Sequence, residues 1–183
     1  RDFTINGLFL DPITDKLHDW VGGQADLEAR RLRTIGNPTE RFGEDHLRLL
    51  RAVRFASQLD FEIEPESFDA VRELAGKIQT VSAERIRDEL LKLFRPPHAA
   101  RGLDLLHDSG LMAHVLPELL PPIHCDQSPD YHPEGTVYNH IRLALEKLPA
   151  GAPITLPWAV LLHDIGKPHT SSVGVDGRIH FYG

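Results

Sequence analysis

Residues 44–59 read Glu44-Asp45-His46-Leu47-Arg48 and then Leu-Leu-Arg-Ala-Val-Arg-Phe-Ala-Ser-Gln-Leu, and this stretch decides the fold of the middle of the chain. Apolar residues recur in it near helical spacing while arginines occupy other positions, which predicts an amphipathic helix with one buried face. The predicted inward positions are Leu47, Leu50, Val53, Phe55 and Leu59. We expect the two acids at its start to open the helix.

Short strand-like runs precede this helix, and further helices follow it. The strand candidates are residues 3–10, 16–20 and 32–35, and the helix candidates are about 65–77, 82–94, 98–108, 137–148 and 156–164. A small hairpin is expected near the end, around Asp176-Gly177. The predicted fold class is mainly α with a small N-terminal β segment, which we expect to be the edge of a sheet whose other strands are missing.

Composition limits the kind of protein. The 183 residues are 41% hydrophobic and 26% charged, which is typical of a globular domain. An apolar run long enough to cross a membrane does not occur, and no signal peptide is visible, so no membrane partner is expected. The single cysteine, Cys125, favours a reducing compartment, the cytoplasm. Both ends look cut, and we expect an internal fragment of a longer chain.

Charge is unevenly distributed along the chain, whose net charge is −7. Residues 30–54 hold seven arginines against three acids, and residues 85–101 hold five basic residues against two acids. From residue 104 onward nine acids face four basic residues. The first half could therefore present a basic face to phosphates, or these runs could be ordinary solvated helix faces.

Asp45 and Arg48 are three residues apart and would share one face of the predicted helix. A carboxylate only accepts hydrogen bonds and a guanidinium only donates them. Adenine and cytosine each offer an amino donor beside a ring-nitrogen acceptor, so this pair could select them and reject uracil and guanine. The alternative is an ordinary surface ion pair, worth about 0.2–0.5 kcal/mol.

Four motifs occur in an order that resembles the class II tRNA nucleotidyltransferase and poly(A) polymerase family, of the CCA-adding type. They are Arg1-Asp2-Phe3-Thr4-Ile5-Asn6, Asp19-Trp20-Val21-Gly22-Gly23, Glu44-Asp45-x-x-Arg48 and Ser82-x-Glu84-Arg85-Ile86-x-x-Glu89-Leu90. Together they cover about residues 1–95. One small departure is Gly7, which stands where the family usually has alanine.

The resemblance implies a nucleotide-binding role for six residues: Arg1, Asp2 and Asn6 near the ribose and phosphates, Asp45 and Arg48 at the base, and Arg51 beside them. It also implies that the Asp19–Gly23 segment is a hinge of the head domain. Two alternatives stay open, since Asn6 could be a strand-end cap and Gly22-Gly23 a plain turn.

The same resemblance implies a template-independent RNA 3′-end nucleotidyltransferase that adds C or A to the tRNA 3′ end from CTP and ATP. In this family an Asp-x-Asp pair upstream of the first motif binds Mg²⁺, and residues 1–183 contain no such pair before Arg1. We therefore expect no catalytic residue in this chain and no activity from it alone. CCA-adding, A-adding and poly(A)-adding members are not separated by these motifs.

His163-Asp164 ends an apolar helix, and His140 lies in an earlier one. This arrangement resembles the HD superfamily of metal-dependent phosphohydrolases. It implies a divalent transition metal held by His140, His163 and Asp164, a set still lacking one distal aspartate. The alternative is that His163-Asp164 caps its helix and pairs internally.

Three domains are expected: a head remnant over 1–36, a helical neck and body with the base-recognition helix over 37–120, and the start of an all-α HD domain over 121–183. Two other functions stay open beside the nucleotidyltransferase. One is an HD-type phosphohydrolase with a helical leader, and the other is a non-catalytic RNA-binding helical module.

Overall fold

A computed structural model describes residues 1–129, 131–174 and 179–181. The chain divides into two compact units. The first comprises Arg1–Leu93 and Leu105–Val115, and the second comprises Phe94–Asp104 and Leu116–Gly183. The three-domain division expected from the sequence stays a prediction.

The first unit contains short strands and most of the helices. In chain order they are β1 (Phe9–Asp11), β2 (Lys16–His18), α1 (Gly23–Glu28), β3 (Arg31–Leu32), α2 (Pro38–Glu44), α3 (Leu47–Leu59), β4 (Glu62–Ile63), α4 (Pro65–Leu74) and α5 (Ala83–Leu93), and then α7 (Met112–Val115), with 3₁₀ turns at Thr4–Asn6 and Ala75–Thr80. Strands β1 and β2 form an antiparallel hairpin, while β3 and β4 pair in parallel. Helix α6 (Ala99–Asp108) begins in the second unit and ends in the first.

Helix α3 supplies the core of the first unit. Leu47, Leu50 and Val53 are buried as predicted. The prediction is wrong for Leu59, which is 43% exposed at the last turn of the helix. Phe55 is only half-buried, with its ring edge against Phe3. The buried face is therefore set by the first three turns of the helix.

A buried ion pair joins α3 to α5. Arg54 lies on the predicted arginine face of α3, yet its side chain is almost fully buried because its Nε donates to Glu89 on α5 at 2.5 Å. The Arg54 guanidinium also stacks on the Phe55 ring at 3.8 Å. This pair fixes α5 against α3 and so positions the N-terminal turns of α5.

The N-terminal segment departs from the predicted strand over residues 3–10. Thr4–Asn6 forms a 3₁₀ turn, and the strand begins only at Phe9. The reason is a buried polar contact: the Thr4 hydroxyl donates to Asp26 at 2.6 Å, and Asp26 is fully buried. An extended chain through Thr4 would break that contact.

The second unit contains α8 (Val137–Glu146), α9 (Thr155–Leu162), α10 (Lys167–Thr170), and strands β5 (Ser171–Val173) and β6 (Ile179–Phe181). The two strands pair antiparallel, as the predicted hairpin requires, although its turn at residues 176–177 lies outside the described residues. Thr136 caps α8 by accepting the Asn139 backbone N–H. Within the described ranges, none of the helices has both the length and the apolar character of a membrane span.

Candidate nucleotide-binding site and histidine cluster

Asp45 lies just before α3 rather than on it, which corrects the prediction that Glu44 and Asp45 open this helix. Its backbone is extended, with φ −153° and ψ 105°, and α3 begins at Leu47. The Asp45 Oδ1 atom accepts the Leu47 backbone N–H at 3.1 Å. An aspartate that bonds the chain two residues on favours a turn or cap over a helical position.

The second oxygen of Asp45 is held by α5. Arg85 Nη2 donates to Asp45 Oδ2 at 2.7 Å. Asp45 keeps 33% of its side chain exposed, so its remaining lone pairs can accept further donors. Asp45 and Arg48 form no ion pair with each other among the described residues, so the surface ion-pair alternative is wrong for them.

Arg48 is the centre of a network that includes Asp2. Its Nε donates to Asp2 Oδ1 at 3.0 Å, and its Nη1 contacts Glu44 and the Arg41 carbonyl. Asp2 also accepts Nε and Nη2 of Arg51 at 2.7 and 2.5 Å. In the part of the chain that the structure describes, Arg48 Nη2 has no hydrogen-bond partner. It remains available to a ligand.

Arg1 and Asn6 are placed differently from the other predicted residues. The Arg1 side chain lies over the Phe9 ring at 5.9 Å, and its carbonyl accepts from Arg41. Asn6 Oδ1 accepts the Phe3 backbone N–H at 3.1 Å and so closes the 3₁₀ turn. The local cap proposed as an alternative for Asn6 is thus present, although it caps a 3₁₀ turn. Its predicted contact with a nucleotide stays a prediction.

The ionised forms of Asp45 and Arg48 are favoured by their surroundings. Burial by itself raises the pKa of Asp45, but hydrogen bonds from Arg85 and from the Leu47 N–H, and then the charges of Arg85 and Arg48, lower it below its ordinary value. Burial likewise opposes the charge of Arg48, while Glu44, Asp2 and Asp45 raise its pKa. A pure acceptor and a pure donor therefore lie side by side, as selection of adenine and cytosine requires.

The run of arginines over residues 30–54 is largely neutralised from within. All seven have acidic partners: Arg30 with Asp60, Arg31 and Arg33 with Asp26, Arg41 with Glu44, Arg48 with Asp2 and Glu44, Arg51 with Asp2, and Arg54 with Glu89. The expectation of a free basic face is therefore not met by this run.

The sequence did not assign Arg85 and Glu44 to the site. Glu44 had a usable signal, because it stands three residues after Arg41 and four before Arg48, both ion-pair spacings. Arg85 lies forty residues from Asp45, and only the packing of α5 on α3 reveals their contact.

The glycines of the predicted hinge have steric reasons. Gly22 has φ +77°, a left-handed conformation that favours glycine. A Cβ on Gly23 would lie 2.3 Å from the Thr4 carbonyl oxygen. Asp19 accepts the backbone N–H groups of Gln24, Gly23 and Val21, which lower its pKa to about 2. The hinge role stays a prediction.

In the second unit the structure brings His140, His163 and Asp164 together. One nitrogen or oxygen atom from each lies within 4.8 Å of the others, close enough for a single metal ion. His163 Nε2 is 3.2 Å from Asp164 Oδ2, and the His140 and His163 rings have centroids 5.5 Å apart. Lys167 also contacts Asp164, at 2.7 Å.

Glu134 was missed by the sequence analysis, and His132 was left unassigned. Glu134 Oε1 lies 2.5 Å from His140 Nδ1 and 3.1 Å from His132 Nδ1. Its own backbone N–H, and then His140 and His132, lower the pKa of Glu134 to about 2. It precedes α8 in a loop, where helical spacing gives no signal. His132, Glu134 and His140 form a second group that could hold a metal ion.

Two family models match the chain. The "Poly A polymerase head domain" matches residues 1–33, and the "Probable RNA and SrmB- binding site of polymerase A" matches residues 60–121. The two matches flank the Asp45 and Arg48 site on either side.

Among curated proteins, an A-adding tRNA nucleotidyltransferase of Deinococcus radiodurans is 40% identical over all of this chain and 43% of its own length. A multifunctional CCA protein of an Acidovorax species is 37% identical over 93% of this chain and 41% of its own length. The chain thus spans about two fifths of the curated relatives that it matches.

A solved structure gives the same result for the fold. The Bacillus stearothermophilus CCA-adding enzyme, crystallised with CTP, superposes with a TM-score of 0.71 at 30% identity and covers 92% of this chain and 40% of that enzyme. With the matching head and RNA-binding models and the curated relatives, these likenesses show that the chain belongs to the family of poly(A) polymerases and tRNA nucleotidyltransferases.

Proposed function

We propose that residues 1–93 carry the base-selecting part of a template-independent RNA 3′-end nucleotidyltransferase, which adds C, A or both to the tRNA 3′ end from CTP and ATP. The observation that carries the proposal is the pairing of an acceptor with a donor before and within α3. Asp45 keeps unused lone pairs, and Arg48 keeps Nη2 without a partner among the described residues.

Asp45 would accept the amino group of adenine or cytosine, and Arg48 Nη2 would donate to the adjacent ring nitrogen. Uracil and guanine present a carbonyl at the amino position, which would place two acceptors face to face. Sites that leave buried polar groups unpaired can discriminate by about 10⁴-fold or more. Asp2 and Arg51 would act by fixing the Arg48 guanidinium through their shared ion pairs.

Transfer in this family uses divalent metal, which we propose is Mg²⁺. The carboxylates beside the proposed site do not fit a magnesium centre. Asp2, Glu44 and Asp45 are each paired with arginine, so a cation would have to displace those guanidinium groups. We therefore assign no catalytic residue and no metal step to them. We propose the cytoplasm as the compartment, because Cys125 is a single free thiol.

The test uses the complete protein with Asp45→Ala, incubated with tRNA and each of the four nucleoside triphosphates. Incorporation of UTP and GTP relative to CTP and ATP is expected to rise, because the repulsive acceptor is gone. Asp69→Asn is the matched control, since Asp69 forms an exposed ion pair with Arg72 three residues on. Unchanged rejection of UTP and GTP would remove the base-selection proposal.

A second function is favoured by the histidine cluster. We propose that His140, His163 and Asp164 hold a divalent transition metal in an HD-type site that hydrolyses phosphate esters, such as 2′,3′-cyclic or phosphate ends of RNA. Imidazole and carboxylate donors from neighbouring helices suit zinc, nickel or manganese. Hydrolysis that needs Ni²⁺ or Mn²⁺ and is lost in His163→Ala would support this site. Metal-independent hydrolysis, or full activity of that variant, would exclude it.

A further inference from the structure

Two histidines of the proposed metal site have one ring nitrogen occupied. His140 Nδ1 lies 2.5 Å from Glu134 Oε1, and His163 Nδ1 lies 2.7 Å from the Val160 carbonyl oxygen. Each oxygen is an acceptor, because Glu134 has a lowered pKa and is ionised, and a carbonyl cannot donate. Both histidines must therefore carry their proton on Nδ1 when neutral.

This assignment leaves Nε2 of each ring with a free lone pair. His163 Nε2 is 3.2 Å from Asp164 Oδ2. Neighbouring ligands of a tetrahedral zinc-type ion, each about 2.0–2.1 Å from the metal, lie about 3.3 Å apart. The nitrogen that remains on His163 is thus at ligand spacing from the carboxylate, and the atoms offered by His140, His163 and Asp164 converge.

We propose that Glu134 is a positioning residue of this metal site. Its carboxylate fixes the Nδ1–H tautomer and the ring orientation of His140, and it makes Nε2 a better donor for a divalent transition metal. Metal-bound histidines commonly donate their other N–H to a carboxylate or a carbonyl, and loss of that partner typically weakens metal binding about 10- to 100-fold. The inference rests on the metal site proposed above and adds a residue that lies outside its ligand set.

Glu134 suits this role because it is itself held in place. It lies in the loop that leads into α8, two residues before the Thr136 cap, and its backbone carbonyl accepts from Asn139 at 3.0 Å. His132 Nδ1 approaches the same Oε1 atom at 3.1 Å. His132 therefore shares the carboxylate, and it is not among the group formed by His140, His163 and Asp164.

A competing arrangement uses the same side chains. A metal could bind directly among His132, Glu134 and His140, whose ligand atoms also converge. That arrangement needs Nδ1 of His140 unprotonated, whereas ours needs it protonated. The tautomer of His140 therefore separates the two arrangements.

The first measurement is the imidazole ¹⁵N–¹H correlation spectrum of the metal-free full chain at mildly alkaline pH. We expect Nδ1–H for both His140 and His163. In Glu134→Gln only His140 is expected to change, because His163 keeps its Val160 carbonyl. A wild-type His140 protonated on Nε2 would overturn the inference without any variant.

The second measurement is Co²⁺ affinity, followed by visible absorption. We expect about 10- to 100-fold weaker binding in Glu134→Gln. The matched control His132→Ala should bind as the wild type does, and loss of binding there would place the metal among His132, Glu134 and His140. If Glu134→Gln binds Co²⁺ as tightly as the wild type, the positioning role is wrong and the metal site stands. If the wild type binds no Co²⁺, the metal site is wrong and this inference is wrong with it.

Discussion

Asp45 uses its two oxygens for different contacts. Oδ1 accepts the Leu47 N–H and fixes the residue to the start of α3, while Oδ2 accepts from Arg85 on α5. A carboxylate that recognises a base must be held in one orientation, because a small displacement costs both affinity and selectivity. Arg85 is therefore a positioning residue for Asp45 in the proposed function.

Arg85→Ala is expected to reduce the preference for CTP over UTP by about tenfold, the value of a lost charged hydrogen bond of about 1.5 kcal/mol. The ratio of kcat/KM for the two nucleotides in the complete protein measures it. Arg87→Ala is the control, since Arg87 lies on the same helix and pairs only with its neighbour Asp88 among the described residues. Equal ratios in the two variants would show that Arg85 does not position Asp45.

At the scale of elements, the packing of α5 on α3 depends on the ion pair of Arg54 with Glu89, both almost fully buried. Glu89→Ala would leave the Arg54 charge buried without its main partner. We expect a loss of about 3–5 kcal/mol in the free energy of unfolding, measured by urea denaturation. A loss near that of an exposed pair, as in Asp69→Ala, would mean that the Arg54–Glu89 pair does not hold these helices together.

The start of α1 should respond to acid through Asp19. Its folded pKa of about 2 lies below the ordinary value near 4, so its contribution to stability is present above about pH 4 and is lost as the pH falls toward 2. Asp19→Asn should lower the free energy of unfolding at neutral pH, and the difference from the wild type should shrink below about pH 4. Denaturation curves at several pH values measure this, and a constant difference would contradict it.

Helices with strong apolar periodicity could be predicted from the sequence, and local polar contacts explain the errors. α5, α6 and α8 begin within one residue of their predicted starts, because proline, glycine or a capping residue marks their ends. The start of α3 and the strand over 3–10 were wrong. In each case a side chain bonds a partner that the pattern does not show, Leu47 N–H for Asp45 and Asp26 for Thr4.

The candidate site was predictable in its residues and less so in its geometry. Spacing and resemblance named Asp45, Arg48, Asp2 and Arg51, and the structure joins Asp2 with both arginines. The partner Arg85 and the outer carboxylate Glu134 required three-dimensional packing, since neither follows a helical spacing from the residue that it contacts.

At the scale of the whole molecule, the chain spans about two fifths of its curated relatives. Residues 1–183 by themselves, given tRNA, ATP, CTP and Mg²⁺, are expected to add no nucleotide. The reason is that the carboxylates beside the base site are committed to arginines. Label incorporation into the tRNA measures it, and robust addition would show that a catalytic metal binds within these residues.

The family's RNA contacts cannot come mainly from the arginines of residues 30–54, because all of them have acidic partners. A purely electrostatic RNA-binding module would bind tRNA with a steep dependence on salt and would not respond to Asp45. The base-selection proposal instead locates specificity at one carboxylate and one guanidinium.

The most direct test is equilibrium binding of CTP and of UTP to the complete protein, with and without Asp45→Ala. Removing the carboxylate should weaken CTP, which loses an acceptor for its amino group, and should relieve UTP of an opposing acceptor. The account predicts that the ratio of the two dissociation constants falls toward one. A ratio that stays at its wild-type value would contradict it.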